Sequence, residues 1–237
     1  MKLLRTLVGL GAVATTLALT AAPAGADHDY YPGPGDFADC PAQPAGVTSW
    51  TCYAHTAVDG GFTLGTKKGV RVLLDKNLRL TLGQGKLADG TNVARLGGIT
   101  GEYLKVVTVI PGTNAILSVL PEVTVQVVPV KLVDPTSIES VAVKLRLVNG
   151  FLGPNCSIGT DAAPIVLRPH TDVALPWLFW LTPGVKAWAS DRQYALPAAT
   201  SCGSLPLLGG VDSYLGLPSA AGNGTAEIVW AVREKKL

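Results

Sequence analysis

This sequence predicts an all-β fold, an antiparallel β-sandwich with at most one or two short helices, preceded by a signal peptide. Three observations point there. From Trp50 onward, apolar residues recur with the period of two that a half-buried strand requires. The strand-like runs are separated by turn pairs, among them Asp89-Gly90, Gly97-Gly98, Pro111-Gly112 and Pro183-Gly184. Helical spacing of apolar residues shows in one stretch, around residue 210.

Residues 1–26 read as a secretory signal peptide. Lys2 and Arg5 form the basic n-region, Leu7 to Leu19 the apolar h-region, and Ala24-Gly25-Ala26 the small–x–small cleavage site. Pro23 and the small residues arrive before about 18 uninterrupted apolar residues accumulate, which disfavours an uncleaved anchor. Residues 27–45 follow as a flexible leader punctuated by Tyr30-Tyr31-Pro32-Gly33-Pro34-Gly35, with order beginning where Cys40 ties the chain down. Residues 46–237 then form a single domain, a size one sandwich can occupy.

Within that domain Val70, Val72 and Leu74 share one strand face. Leu78, Leu80 and Leu82 repeat the pattern after an Asp75-Lys76-Asn77 turn. Val123, Val125 and Val127 alternate with Thr124, Gln126 and Val128. After Asp134-Pro135, Val141, Val143, Leu145 and Leu147 point inward while Ala142, Lys144 and Arg146 point outward, and Asn149-Gly150 predicts a type I′ hairpin. Ile165 to Leu167 makes a short strand. In the last strand Ile228, Trp230 and Val232 oppose Glu227, Ala231 and Arg233. The predicted helix has Ser204 as N-cap, Pro206 in its first turn, Leu205, Leu208 and Leu215 on one face, and a stop at Gly216 before Leu217-Pro218.

Composition excludes several function classes. The 19 Lys and Arg oppose 17 Asp and Glu, and loss of Lys2 and Arg5 with the signal brings the two sides level. A neutral chain lacks the clustered basic face that phosphate neutralisation or anionic lipid demands, so neither nucleic acid nor an acidic membrane surface is the expected partner. Charged residues make up 15% of the chain, against the usual figure of about 25%, which predicts a weakly polar surface. The four cysteines, Cys40, Cys52, Cys156 and Cys202, all lie in the exported part, and an even count there reads as two disulfides. Three connectivities are open, and proximity favours Cys40–Cys52 and Cys156–Cys202. Metal ligation fails on spacing, because CxxC and HxxxH pairs are missing and the His nearest to any Cys is His55, three residues after Cys52.

The candidate chemistry is thin. His28 sits in the leader, and His55 reads as a surface residue of the stapled loop. His170, followed by Asp172, is the better general base, yet no GxSxG elbow supplies its nucleophile and Ser219 shares only a loose likeness to one. Glu102, Glu122, Glu139 and Glu227 are scattered and read as solvated charges. Gly83-Gln84-Gly85 lacks the strand–helix setting and Lys of a phosphate loop, and Asp89-Gly90-Thr91-Asn92 lacks the alternating acids of a calcium loop. No catalytic residue, metal or cofactor is therefore assigned. Ala174 to Ala189 is the compositional exception, holding Trp177, Trp180 and Trp188. Strand alternation there puts Trp177 in the core and leaves Leu178 and Trp180 as a candidate apolar binding patch.

Three segments resemble a family of secreted actinobacterial proteins of unknown function. They are Gly153-Pro154-Asn155-Cys156-Ser157-Ile158-Gly159 with Ala163 to Leu167, then Ser201-Cys202-Gly203, and Gly216-Leu217-Pro218-Ser219-Ala220-Ala221-Gly222-Asn223. They span about the last third of the chain. The resemblance implies a Cys156–Cys202 bridge and a secreted or cell-surface location, and it carries no catalytic residue. The expectation is an exported, non-enzymatic structural or binding protein whose partner is an envelope glycan, a lipid or a protein. The rival is a secreted hydrolase acting on envelope or environmental polymers, which a deep cleft with convergent polar groups would favour.

Overall fold

The computed structural model describes residues 37–66, 70–74, 78–101, 104–109, 116–117, 123–177, 184–205 and 209–237. The expected signal peptide 1–26, the expected leader as far as residue 36, and the turns expected at 75–77 and at Pro111-Gly112 lie outside the described residues. The first strands are β1 (Val47–Thr63), β2 (Val70–Leu73), β3 (Arg79–Leu87), β4 (Asn92–Thr100), β5 (Leu104–Val109) and β6 (Ile116–Leu117). β7 (Thr124–Leu132), β8 (Val141–Val148), β9 (Ser157–Ile158) and β10 (Ile165–Leu167) follow, and β11 (His170–Trp177) pairs with β12 (Gly184–Asp191). The short β13 (Ala199–Thr200), β14 (Ser204–Leu205) and β15 (Gly209–Gly210), the helix α1 (Val211–Leu215) and β16 (Ala226–Lys236) close the chain.

Nearly all of this is one antiparallel sheet curled on itself. Its path is β11-β12-β16-β1-β2-β5-β7-β8-β9-β13, with β3 and β4 beside β1, β6 beside β5 and β10 beside β8. β1 is long enough to serve two neighbours on one edge, β3 along its first part and β2 at its end, while β16 runs along its other edge. β5 links the halves by pairing both β2 and β7. The core fills the inside of the curl. Val70, Val72, Leu74 and Leu78 from the β1 side meet Val125, Val143, Leu145 and Leu147 from the β7–β8 side, all of them buried. These are the inward faces that the period of two predicts. Fully burying each such side chain contributes roughly 1.5–3 kcal/mol.

Four local expectations are corrected. Gly97-Gly98 lies inside β4 rather than between strands, because a Cβ on Gly97 would collide with the Asp39 carbonyl; the glycines admit another backbone rather than a turn. Asn149-Gly150 makes no type I′ turn, since neither residue has positive φ. Instead the Asn149 Oδ1 accepts from the Phe151 N–H at 2.9 Å, opening a longer connection to β9. Ala142 is buried, not outward, although it alternates with the core residues of β8. The helix shrinks to Val211–Leu215 with Gly210 as its N-cap, and Ser204 belongs to the β14–β15 ladder. Its stop is as expected, with Gly216 at φ 71° closing the last turn through Gly216 N–H to the Asp212 carbonyl.

Residues 37–41 form a strap across the outer face of β1, β3 and β4. The Asp39 carbonyl accepts from Thr81 Oγ1 at 2.8 Å and from Gly98 N–H at 3.2 Å, and Arg79 reaches the Asp39 carboxylate at 3.6 Å. Beneath the strap lies Trp50, whose Nε1–H donates to the Pro41 carbonyl at 3.0 Å. The ring occupies space that side chains at Gly83 and Gly85 would fill, so these two glycines are the floor of a tryptophan slot. Asp89-Gly90 is the expected turn between β3 and β4, with Thr91 N–H on Asp89 Oδ1 at 2.9 Å.

Candidate functional site

Alternation along β12 puts Ala187, Ala189 and Asp191 inside, all buried, and Lys186, Trp188 and Ser190 outside, with Arg192 continuing the stripe. Trp188 pairs with Val229 of β16, which pairs with Asp59 of β1, and directly opposed residues share a face. In the next row His170 of β11 pairs with Ser190, and Ser190 with Glu227. Two register shifts tune this surface. One between Ala57 and Asp59 and one between Thr171 and Val173 set Asp59 and Asp172 beside the tryptophan, as bulges re-aim side chains.

The result is an open groove of about 330 Å³ lined by Asp59, Asp172, Trp188, Ser190, Arg192 and Glu227. The Arg192 guanidinium stands 4.0 Å from the Glu227 carboxylate, an exposed pair that orients the two groups more than it stabilises the fold. Asp59 Oδ1 accepts from the Gly60 N–H at 2.7 Å. The Lys186 ammonium lies 5.5 Å from the centroid of the Trp188 ring, within cation–π range. One buried carboxylate fixes the frame: Asp191 accepts from the Arg168 N–H at 2.6 Å and the Gln193 N–H at 2.8 Å, pinning the start of β11 to the end of β12.

His170 faces a second depression, an open polar basin of about 580 Å³ whose wall includes Asp134, Glu139 and Arg168. Its ring is exposed and makes no hydrogen bond among the described residues, Asp172 included. The Asp134 carboxyl is held below the usual carboxylate range by the Thr136 hydroxyl and N–H, at 2.7 and 2.8 Å. Ser219 is buried in a backbone bridge with Leu196, so it presents no nucleophile. Comparison with protein families, with characterised proteins and with solved structures finds no match to this chain.

Both disulfides are formed, as Cys40–Cys52 and Cys156–Cys202. They point to an oxidising environment outside the cytoplasm. Among the described residues no helix is long and apolar enough to cross a membrane, and no group of three or more His, Cys, Asp or Glu is placed to hold a metal ion. Leu178 and Trp180, the candidate binding patch, lie outside the described residues. Trp188 is the aromatic that the groove displays, and the signal for it was the alternation Lys186-x-Trp188-x-Ser190-x-Arg192. The two bulges that bring Asp59 and Asp172 to it leave no such trace in sequence.

His55 is not the surface residue its position near Cys52 implies. It lies in β1 between Leu80 of β3 and Val232 of β16, edge-on to Trp230 with ring centroids 5.9 Å apart. Its Nε2 is shut off from solvent without a hydrogen-bond partner among the described residues. Burial lowers its pKa from the usual 6.5 to about 4. A depressed histidine stabilises the fold fully above pH 6.5, and that contribution drains away as pH falls through 6.5 toward 4, because the unfolded chain takes the proton first. By pH 4 the loss from this residue is about 3 kcal/mol. Urea denaturation at pH 7 and pH 4 checks it: His55→Leu should lose less stability on acidification than the native chain. Equal acid sensitivity would mean that the imidazole is hydrated.

Proposed function

We propose that this chain is an exported protein of the cell envelope or extracellular space, working as a binding or structural module without catalytic chemistry of its own. The reading draws on the resemblance of three of its segments to secreted actinobacterial proteins of unknown function. The observation that carries the reading is the setting of His170: an exposed imidazole on an open basin, with no nucleophile at hydrogen-bond distance among the described residues. Base-assisted attack needs that pair held in reach. The two disulfides and the pinned β11–β12 pair supply a rigid display surface instead.

One observation favours the hydrolase reading. His170, Ser190 and Glu227 stand in a single cross-strand row, an imidazole, a hydroxyl and a carboxylate on one face. The order is wrong for a triad, since the hydroxyl rather than the imidazole is in the middle, and no hydrogen bond joins them among the described residues. Incubating the secreted protein and its His170→Ala variant with purified cell walls, while following released reducing ends and free amines, separates the readings. The module reading expects neither protein to exceed the buffer rate. Release that falls about 100-fold or more in the variant, at unchanged folding, would establish the hydrolase.

A further inference from the structure

We propose that the groove around Trp188 is a subsite for a saccharide chain carrying little net charge. The inference rests on the module reading above and names its ligand. Trp188 cannot serve the core, because its neighbours Ala187 and Ala189 take the inward positions; its half-buried indole lines the groove. A flat aromatic surface suits the apolar C–H face of a pyranose, through dispersion and weak C–H contacts with the ring.

The polar rim matches the other side of a sugar. Sugar hydroxyls both donate and accept. Around the indole, Asp59, Asp172 and Glu227 accept, the Arg192 fork donates, and Ser190 does both. A few fixed polar groups beside an apolar surface are what orient a small ligand. Charge argues against the alternatives. The three carboxylates are opposed by Arg192 within the groove and by Lys186 at its edge, so neither a polyanion nor a polycation meets a strong field. The guanidinium beside the carboxylates also disfavours a cation site.

Shape extends the inference from one sugar to a chain. The groove is open rather than enclosed, and Ser190 at its end is paired with His170, which belongs to the neighbouring basin. A linear polymer can thus lie across β16, β12 and β11, with one ring on Trp188 and its continuation beside His170.

Isothermal titration of the full secreted protein with chitohexaose, cellohexaose and α-1,6-mannohexaose tests this. At least one should bind, with affinity reduced tenfold or more in Trp188→Ala and three- to tenfold in Glu227→Gln and in Arg192→Ala. Phe151→Ser, on a distant exposed loop, should bind like the native protein. Should Trp188→Ala fail to fold, the two rim variants carry the test, since both residues are exposed. No binding of any hexasaccharide at millimolar concentration, or binding undiminished in these variants, overturns the inference. Salt-sensitive binding of hexalysine in place of the sugars overturns it too. Binding that ignores Trp188 removes the groove and leaves the module reading. Cleavage of a hexasaccharide removes the module reading and leaves the groove, provided that binding still depends on Trp188.

Discussion

Replacing Cys156 and Cys202 together by Ala is expected to lower stability by about 4 kcal/mol, the larger of the two disulfide effects. The bridge spans 46 residues, against 12 for Cys40–Cys52, whose removal should cost about 3 kcal/mol. Most of the difference is unfolded-state entropy, because a longer closed loop forbids more of the open chain. Position adds to it: Cys156 is fully buried in the main core, so the variant also loses sulfur packing there. Non-reducing urea denaturation of the two double variants checks the order. A larger loss from Cys40 and Cys52 would mean that the strap, rather than the β8–β9 connection, holds the fold.

Trp50→Ala should cost about 3–5 kcal/mol, the range for emptying an aromatic site in a packed interior. Trp50 is 2% exposed, yet it lies outside the main core, in the slot between Gly83, Gly85 and the strap. Losing the ring opens a void that two glycines cannot fill and strands the Pro41 carbonyl that the indole N–H satisfies. The Cys40–Cys52 bridge remains and limits collapse. Trp50→Phe, which keeps a ring and drops the donor, should lose clearly less. A loss under about 1 kcal/mol for Trp50→Ala would show that the strap does not seal the slot.

The strap explains where sequence reading faltered. The inward residues of β2, β3 and β8 were legible because one side of each strand meets the core and the period of two records it. β3 is buried on both faces under the strap, so Thr81, whose alternation with Leu80 and Leu82 reads as an outward polar residue, is covered and bonded to the Asp39 carbonyl. The same contact hid Gly97-Gly98, whose backbone closeness to Asp39 reads like a turn pair. His55 misled for a different reason, since proximity to Cys52 in sequence says nothing about which face of β1 it takes.

By itself the sequence determined the all-β class, the presence of two disulfides, the main core faces and the Gly216 helix stop. Each depends on neighbours within a few residues or on a count of cysteines, so local chemistry suffices. Only the tertiary structure decided that Trp188, Asp59, Asp172 and Glu227 share a groove, since they come from four strands spread along the chain. Their meeting depends on strand order, on the register of β1 with β16 and β12 with β16, and on two bulges. A one-residue slip in any of these pairings would turn a side chain to the opposite face, and hydrophobic patterning does not record which register the long-range pairs adopt.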